Sequence, residues 1–236
     1  MKRLLSRGYG KIFQISRCWR DGERGNRHVP EFTMLEWYRA NTDYHALMDD
    51  CKEMLLDVSA NIKDCYNATP VNLDEGIMRI SVREAFDRYC SISMESAVRD
   101  GSFDELMITG IEPALALLNQ PVILMDYPIE MAALARAKSS DPSVAERFEV
   151  YVGGLEIANG FSELNDPIEQ RRRFIDANKK RSERGLSILP LPEPFLEELE
   201  KMPPSAGIAL GVDRLVMLFT GAELIDDVIA FTPESL

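Results

Sequence analysis

The sequence predicts an α+β domain, a mostly antiparallel β-sheet flanked by helices, and three observations carry that prediction. Residues 11 to 20 and 31 to 38 are two strand-like runs on either side of the polar loop Asp21 to Pro30, which reads as a long-looped hairpin. Residues 147 to 158 contain a second hairpin, because Gly153-Gly154 suits the positive φ angles of a two-residue turn. The other strands do not alternate with regular crossover helices, which disfavours a doubly wound parallel sheet.

The elements follow in chain order. After the first hairpin, Tyr44, Leu47, Met48, Cys51, Leu55 and Val58 recur at helical spacing and form one apolar face. Ser81 with Glu84 makes a capping box for a short helix through Tyr89, and Pro121 to Tyr127 reads as a buried strand. Asp166, Pro167 and Glu169 supply an N-cap, a first-turn proline and a capping-box acid to a helix ending near Gly185. The Arg171-Arg172-Arg173 run on that helix reads as a solvated face. Ala206 to Leu210 is a strand that passes through Gly211 into a helix from Asp213 to Phe219. No internal repeat or linker interrupts the chain, so one domain over residues 1–236 is expected.

Composition narrows the function. With 45% hydrophobic residues the chain can fill a core, yet no apolar run reaches the roughly 20 residues of a membrane span, and a cytoplasmic protein is expected. Cys18, Cys51, Cys65 and Cys90 are scattered without a Cys-x-x-Cys pair, which points away from a zinc cluster or a disulfide framework. A net charge of −12 opposes binding to duplex nucleic acid, whose affinity comes from neutralising phosphates. Residues 1 to 40 nevertheless hold nine Lys and Arg against four Asp and Glu. That local excess suits a polyanionic ligand, with a solvated basic patch as the plain alternative.

Three places carry chemistry. In the glycine hairpin, regular pairing across Gly153-Gly154 sets Tyr151 against Glu156 and Glu149 against Ala158, all on one face. Glu149 and Glu156 are then close enough to grip a hard cation, unless they are merely solvent-facing acids. Asn159, Phe161 and Glu163 fall in the opposite phase, so a common site requires a bulge near Ala158 to Gly160. In the first hairpin, Phe32, Met34, Glu36 and Tyr38 share a face, and Arg20 stands at the loop mouth with Arg24, Arg27 and His28. This suits phosphate recognition by guanidinium groups. Finally, Gly207 to Leu215 places Arg214 at a helix N-terminus, where dipole and guanidinium both favour an anion.

These blocks resemble class II aminoacyl-tRNA synthetases of the lysyl type. Phe13 through Arg20 with His28 to Tyr38 is similar to the family's second motif, Glu156 through Asp166 to its lysine-pocket block, and Gly207 to Leu215 to its third motif. Leu35-Glu36-Trp37-Tyr38-Arg39 and Ala158 resemble the lysyl-type paralogues that lack an anticodon-binding domain and attach (R)-β-lysine to elongation factor P. The resemblance implies ATP and Mg2+ as cofactors. It gives Arg20 and Arg214 the catalytic roles, His28 the terminal phosphates, Phe32 the adenine, and Glu149 and Glu156 the metal. Glu36, Tyr38, Asn159, Phe161 and Glu163 would line the amino-acid pocket, with Tyr38 and Glu163 on the side-chain ammonium and Ala158 narrowing the α-amino end. The expected partners are ATP, lysine or (R)-β-lysine, and elongation factor P as acceptor, with neither membrane nor duplex nucleic acid. The family's first motif is absent from this sequence, so a homodimer is expected to be weakened. Two positions depart from the pattern: the family's Arg-x-Glu reads Arg20-Asp21-Gly22 with Glu23 one place later, and His-Asn-Pro reads His28-Val29-Pro30. A truncated lysyl-tRNA synthetase and a non-catalytic binding paralogue remain the alternatives.

Overall fold

β1 (Lys11–Trp19) and β2 (Glu31–Ala40) pair antiparallel in unbroken register from Lys11↔Arg39 to Trp19↔Glu31, as the two amphipathic runs predict. A computed structural model describes residues 1–62, 73, 76–232 and 234, so Cys65 lies outside the described residues. The sheet continues from β2 through β8 (Ser205–Gly211), β7 (Leu155–Ser162), β6 (Asp141–Val152), β4 (Val122–Pro128) and β3 (Met78–Ser81), with β5 (Ala137–Lys138) added on β6. Among the described residues only β3 and β4 run parallel, which fits the antiparallel α+β class read from the sequence.

One face of this sheet is mostly apolar. Leu35, Leu210, Ala158, Val150 and Ile123 line up across five strands and are covered by α2 (Tyr44–Ile62) and α9 (Val212–Thr220). Five of the six predicted stripe residues of α2, Tyr44 to Leu55, are buried. Val58 is only half-buried, because Ser59, four residues beyond Leu55, continues the stripe and takes the last inward position. Burial pushes the Cys51 thiol up to about 12, so it packs as a small hydrophobe.

The opposite face is divided. Over β3, β4 and the end of β6 it is covered by α3 (Val82–Tyr89), α4 (Met94–Asp100), α5 (Phe103–Leu106) and α6 (Glu112–Ala116), which join Phe86, Phe103 and Ile111 to Leu124 and Tyr151. Over β1, β2, β8 and β7 it carries a polar cleft. The capping box at α3 forms as predicted: Ser81 Oγ accepts from the Glu84 amide, and Glu84 accepts from the Ser81 amide at 2.9 Å.

At α7 (Pro167–Glu183) Asp166 caps the amides of Ile168 and Glu169, whereas Glu169 pairs with Arg172 and Arg173 instead of closing the box. Arg173 also corrects the reading of its run as solvated. Its side chain is 13% exposed and donates to the carbonyls of Ala132 and Ala135, tying α7 to the segment before β5. Among the described residues no helix is long and apolar enough to cross a membrane.

Candidate functional site

The open part of the sheet face is a grid whose middle strand carries almost no side chains. Across it run Glu36, Ala209, Asn159 and Glu149 in one row, and Tyr38, Gly207, Phe161 and Arg147 in the next. Alternation puts Gly207, Ala209 and Gly211 of β8 on this face and Ala206, Ile208 and Leu210 in the core. The small residues open a trough between the larger side chains of β2 and β7. Gly207 is required there, since a Cβ would collide with the Tyr38 ring and lie 2.6 Å from a Glu163 carboxylate oxygen. The strand-to-helix block from Gly207 to Leu215 thus supplies the trough as well as Arg214, through a small residue at every second position of β8.

The required bulge exists one residue earlier than expected. Tyr151 pairs with Glu156, but Val150 pairs with Ala158 and Glu149 with Asn159, leaving Ile157 as the extra residue of β7. Ile157 and Ala158 consequently both face the core, and Glu156 and Asn159 both face the cleft. This overturns the predicted Glu149–Ala158 pairing. Ala158 lies on the opposite face, packed with Val150 and Leu210, and borders the cleft without sharing Glu149's side.

A cleft open to solvent lies on this part of the face. Arg20, Arg27 and His28 from the β1–β2 loop, Phe32 and Met34 from β2, Glu156 and Asn159 from β7, and Arg214 from α9 all line it. Arg20 sits over the Phe32 ring, 5.3 Å from its centroid. Glu23 pairs with Arg20 at 3.3 Å, so the displaced acid still reaches the arginine, with Gly22 at φ 75 supplying the extra turn. Arg24 does not join the phosphate-reading group, being held by Asp226 and Glu234.

Arg214 donates to the Glu156 carbonyl at 2.7 Å and to its carboxylate at 3.2 Å, and contacts His28 Nε2 at 2.6 Å. A guanidinium only donates, so that histidine nitrogen accepts and the ring is neutral. Burial, then the Arg214 charge, holds the His28 pKa below its ordinary value, in agreement.

Glu149 stands behind the cleft and is saturated. One oxygen takes Arg147 at 2.5 Å and Asn159 at 3.0 Å, and the other takes the hydroxyls of Tyr127 at 2.6 Å and Tyr151 at 2.7 Å. Four donors fill the lone pairs of a carboxylate. Glu149 therefore does not line the cleft itself and reaches it only through Asn159. Glu156 does line the cleft, and burial together with the Glu149 charge raises its pKa. A cation would relieve that repulsion, so Glu156 fits magnesium directly. Glu149 fits it only if Arg147 or Asn159 yields an oxygen, which corrects the symmetric two-carboxylate grip. Among the described residues no three His, Cys, Asp or Glu side chains form a metal cluster, but magnesium needs only one or two carboxylates beside phosphate oxygens.

Next to the cleft, beyond the end of β7, the Glu163 carboxylate is fully buried. Burial raises its pKa to about 7 even though the Lys2 ammonium opposes the rise. Lys2, from the short helix α1 (Lys2–Leu5), forms an ion pair with one Glu163 oxygen and sits 5.4 Å from the Phe161 ring centroid. Tyr38 donates to Glu36 at 3.2 Å, and Gln14 donates to the same carboxylate at 2.6 Å. Of the predicted site residues, Arg20, His28, Phe32, Glu156, Ala158, Asn159 and Arg214 thus border one cleft. Glu36, Tyr38, Phe161 and Glu163 cluster beside it, in a chamber that Lys2 fills. Gln14 and Lys2 were missed, since nothing local in the sequence marks either.

An antiparallel sheet that presents a cationic hairpin loop, a strand-to-helix arginine and Glu156 around one cleft, with Glu149 behind it, is the architecture of a class II aminoacyl-tRNA-synthetase-like domain. The family described as tRNA synthetases class II (D, K and N) matches residues 1–235, and the chain belongs to it. Among curated proteins it is 42% identical to an elongation factor P–(R)-beta-lysine ligase of Pectobacterium atrosepticum, over 99% of this chain and 75% of that protein. Proteins of the same name from Hamiltonella defensa, at 40% over 99% and 75%, and Salmonella arizonae, at 41% over 98% and 74%, are similarly related.

Proposed function

We propose that this chain is an ATP-dependent ligase that activates (R)-β-lysine, or lysine, as an adenylate and transfers it to a lysine of elongation factor P. The observation that carries the reading is the adjacency of two compartments on one sheet face. A cleft with Arg20, His28, Glu156 and Arg214 opens beside a chamber whose buried Glu163 carboxylate, Phe161 ring and Tyr38 suit a primary ammonium. Similarity to three ligases of that name supports the choice of substrate and acceptor. In this reading residues 1–236 act as one catalytic domain.

In the first step a substrate carboxylate oxygen attacks the α-phosphorus of ATP, and the bond to the bridging oxygen breaks to release pyrophosphate. Arg20 neutralises the charge developing on the α-phosphate, and Arg214 and neutral His28 hold the nucleotide's anionic end. Phe32 offers its face to the adenine once the Arg20 guanidinium turns to the phosphate. Glu163 fixes the ammonium, so the carboxylate is presented at one distance from the phosphorus. Magnesium, when bound, would be held by Glu156, joined by Glu149 where Arg147 or Asn159 yields an oxygen, and would neutralise phosphate oxygens. In the second step the acceptor amine attacks the acyl carbon, the mixed anhydride breaks to release AMP, and the amine loses a proton as the amide forms.

Amino-acid-dependent ATP–pyrophosphate exchange tests the proposal. Faster exchange with (R)-β-lysine than with lysine is expected. Preference for lysine with charging of tRNA would favour a lysyl-tRNA synthetase, and exchange with neither would leave a non-catalytic paralogue.

A further inference from the structure

The chamber is not open in this structure. Lys2 fills it with the same chemical group that the proposed substrate carries. Its ammonium contacts the Glu163 carboxylate, lies over the Phe161 ring, and is 14% exposed as a side chain while Glu163 is wholly enclosed. Among the described residues neither Glu163 oxygen nor the Lys2 ammonium has a hydrogen-bond partner, so the two meet as an ion pair alone, and Oε1 faces the Tyr38 ring across Gly207. A fully buried carboxylate without hydrogen-bond donors is costly unless a cation stands against it, and Lys2 supplies that cation.

The way Lys2 is held allows it to leave. α1 carries Lys2 beside a single buried apolar residue. Its buried anchor is Leu5, against Leu199 and Met202 of the segment around α8 (Glu193–Leu199). Arg3 and Arg7 both pair with Glu198 on the exposed surface, where ion pairs contribute little. Gly8, at φ 91, and Gly10 follow directly and precede β1.

We propose that Lys2 is a built-in occupant of the side-chain ammonium subsite: α1 acts as a plug, and a lysine-type substrate binds by displacing the Lys2 ammonium from Glu163. This rests on the function proposed above, because it takes Glu163 as the substrate's counter-ion. A tethered group competes at a high effective concentration, so it lowers the affinity for the free amino acid by the fraction of time the chamber is empty. It also discriminates, since a ligand that offers only one ammonium and no second contact gains nothing over Lys2.

Calorimetric titration of the 236-residue chain with lysine and with (R)-β-lysine, in the presence of ATP and magnesium, tests the plug. With Lys2 seated about nine-tenths of the time, Lys2→Ala and Lys2→Gln are both expected to tighten the amino-acid Kd about tenfold and to leave the Kd for ATP unchanged. Equal or weaker amino-acid binding in both variants overturns the plug while leaving the proposed function standing.

A second readout needs no substrate. Lys2 is expected to react with acetic anhydride at least tenfold more slowly than the exposed Lys11 and Lys201, as read by mass spectrometry. That protection should disappear in Glu163→Gln and on adding 1,5-diaminopentane. Reaction of Lys2 at the rate of the exposed lysines overturns the plug. If Lys2 is protected but neither form binds any lysine-type amino acid, the proposed function fails, and with it the substrate-displacement half of this inference.

Discussion

Replacing Glu163 by glutamine is expected to raise the stability of the ligand-free fold relative to the unsubstituted chain progressively as pH rises, and to weaken recognition of the substrate side chain. The carboxyl has no exposed surface, and burial lifts its pKa from 4.5 to about 7 against the opposing pull of Lys2. At about 1.4 kcal/mol per unit, holding it ionised in the fold costs about 3 kcal/mol. The sign follows from the direction of the shift. A raised carboxyl contributes its full stability below the unfolded pKa and loses it as pH climbs through the folded one. The penalty is about 1 kcal/mol at pH 5 and about 3 kcal/mol at pH 8, so the advantage of Glu163→Gln over the unsubstituted chain grows by about 2 kcal/mol between them. Urea unfolding of both chains at the two pH values measures that difference, and any constant effect of the amide cancels. Substrate recognition runs the other way. An ammonium needs the ionised form, so KM for the amino acid falls about tenfold from pH 6 to pH 8. Glu163→Gln flattens that dependence and weakens binding by about two orders of magnitude. A stability difference independent of pH, or a KM that rises with pH, would refute the argument that burial dominates at Glu163.

Two other substitutions test how the site is supported. Glu149→Gln removes a charged acceptor shared by Arg147, Asn159, Tyr127 and Tyr151, and is expected to cost about 3 kcal/mol in urea unfolding, with two tyrosine hydroxyls left poorly matched. Gly154→Ala combines a φ of 74 with a Cβ placed 2.5 Å from that of Ala116. It is expected to cost about 3 kcal/mol, read as a lowered Tm, and to slow exchange through the Arg27 contact with the Gly154 carbonyl at 2.9 Å.

Much of the fold was legible in the sequence because the signals are local. Two amphipathic runs around a polar loop gave β1 and β2, positive-φ glycines gave the β6–β7 turn, and Ser81 with Glu84 and Asp166 with Pro167 placed two helix starts. Periodicity also put Phe32, Met34, Glu36 and Tyr38 on one face, as β2 presents them. These features depend on a few consecutive residues, whose dihedral preferences and side-chain alternation survive in any tertiary context.

Only the tertiary structure decided what those residues meet. The bulge at Ile157 depends on β7 keeping register with β8 on one side while slipping against β6 on the other, and it sends Ala158 to the core and Asn159 to Glu149. The donors that saturate Glu149 come from β4, β6 and β7, and the cation on Glu163 comes from a residue 161 positions earlier in the chain. Contacts of that range are fixed by the packing of the whole sheet, so no stretch of sequence encodes them alone. The chain's letters placed its acids and arginines on the right strands. The fold determined which of them face a ligand and which one Lys2 already holds.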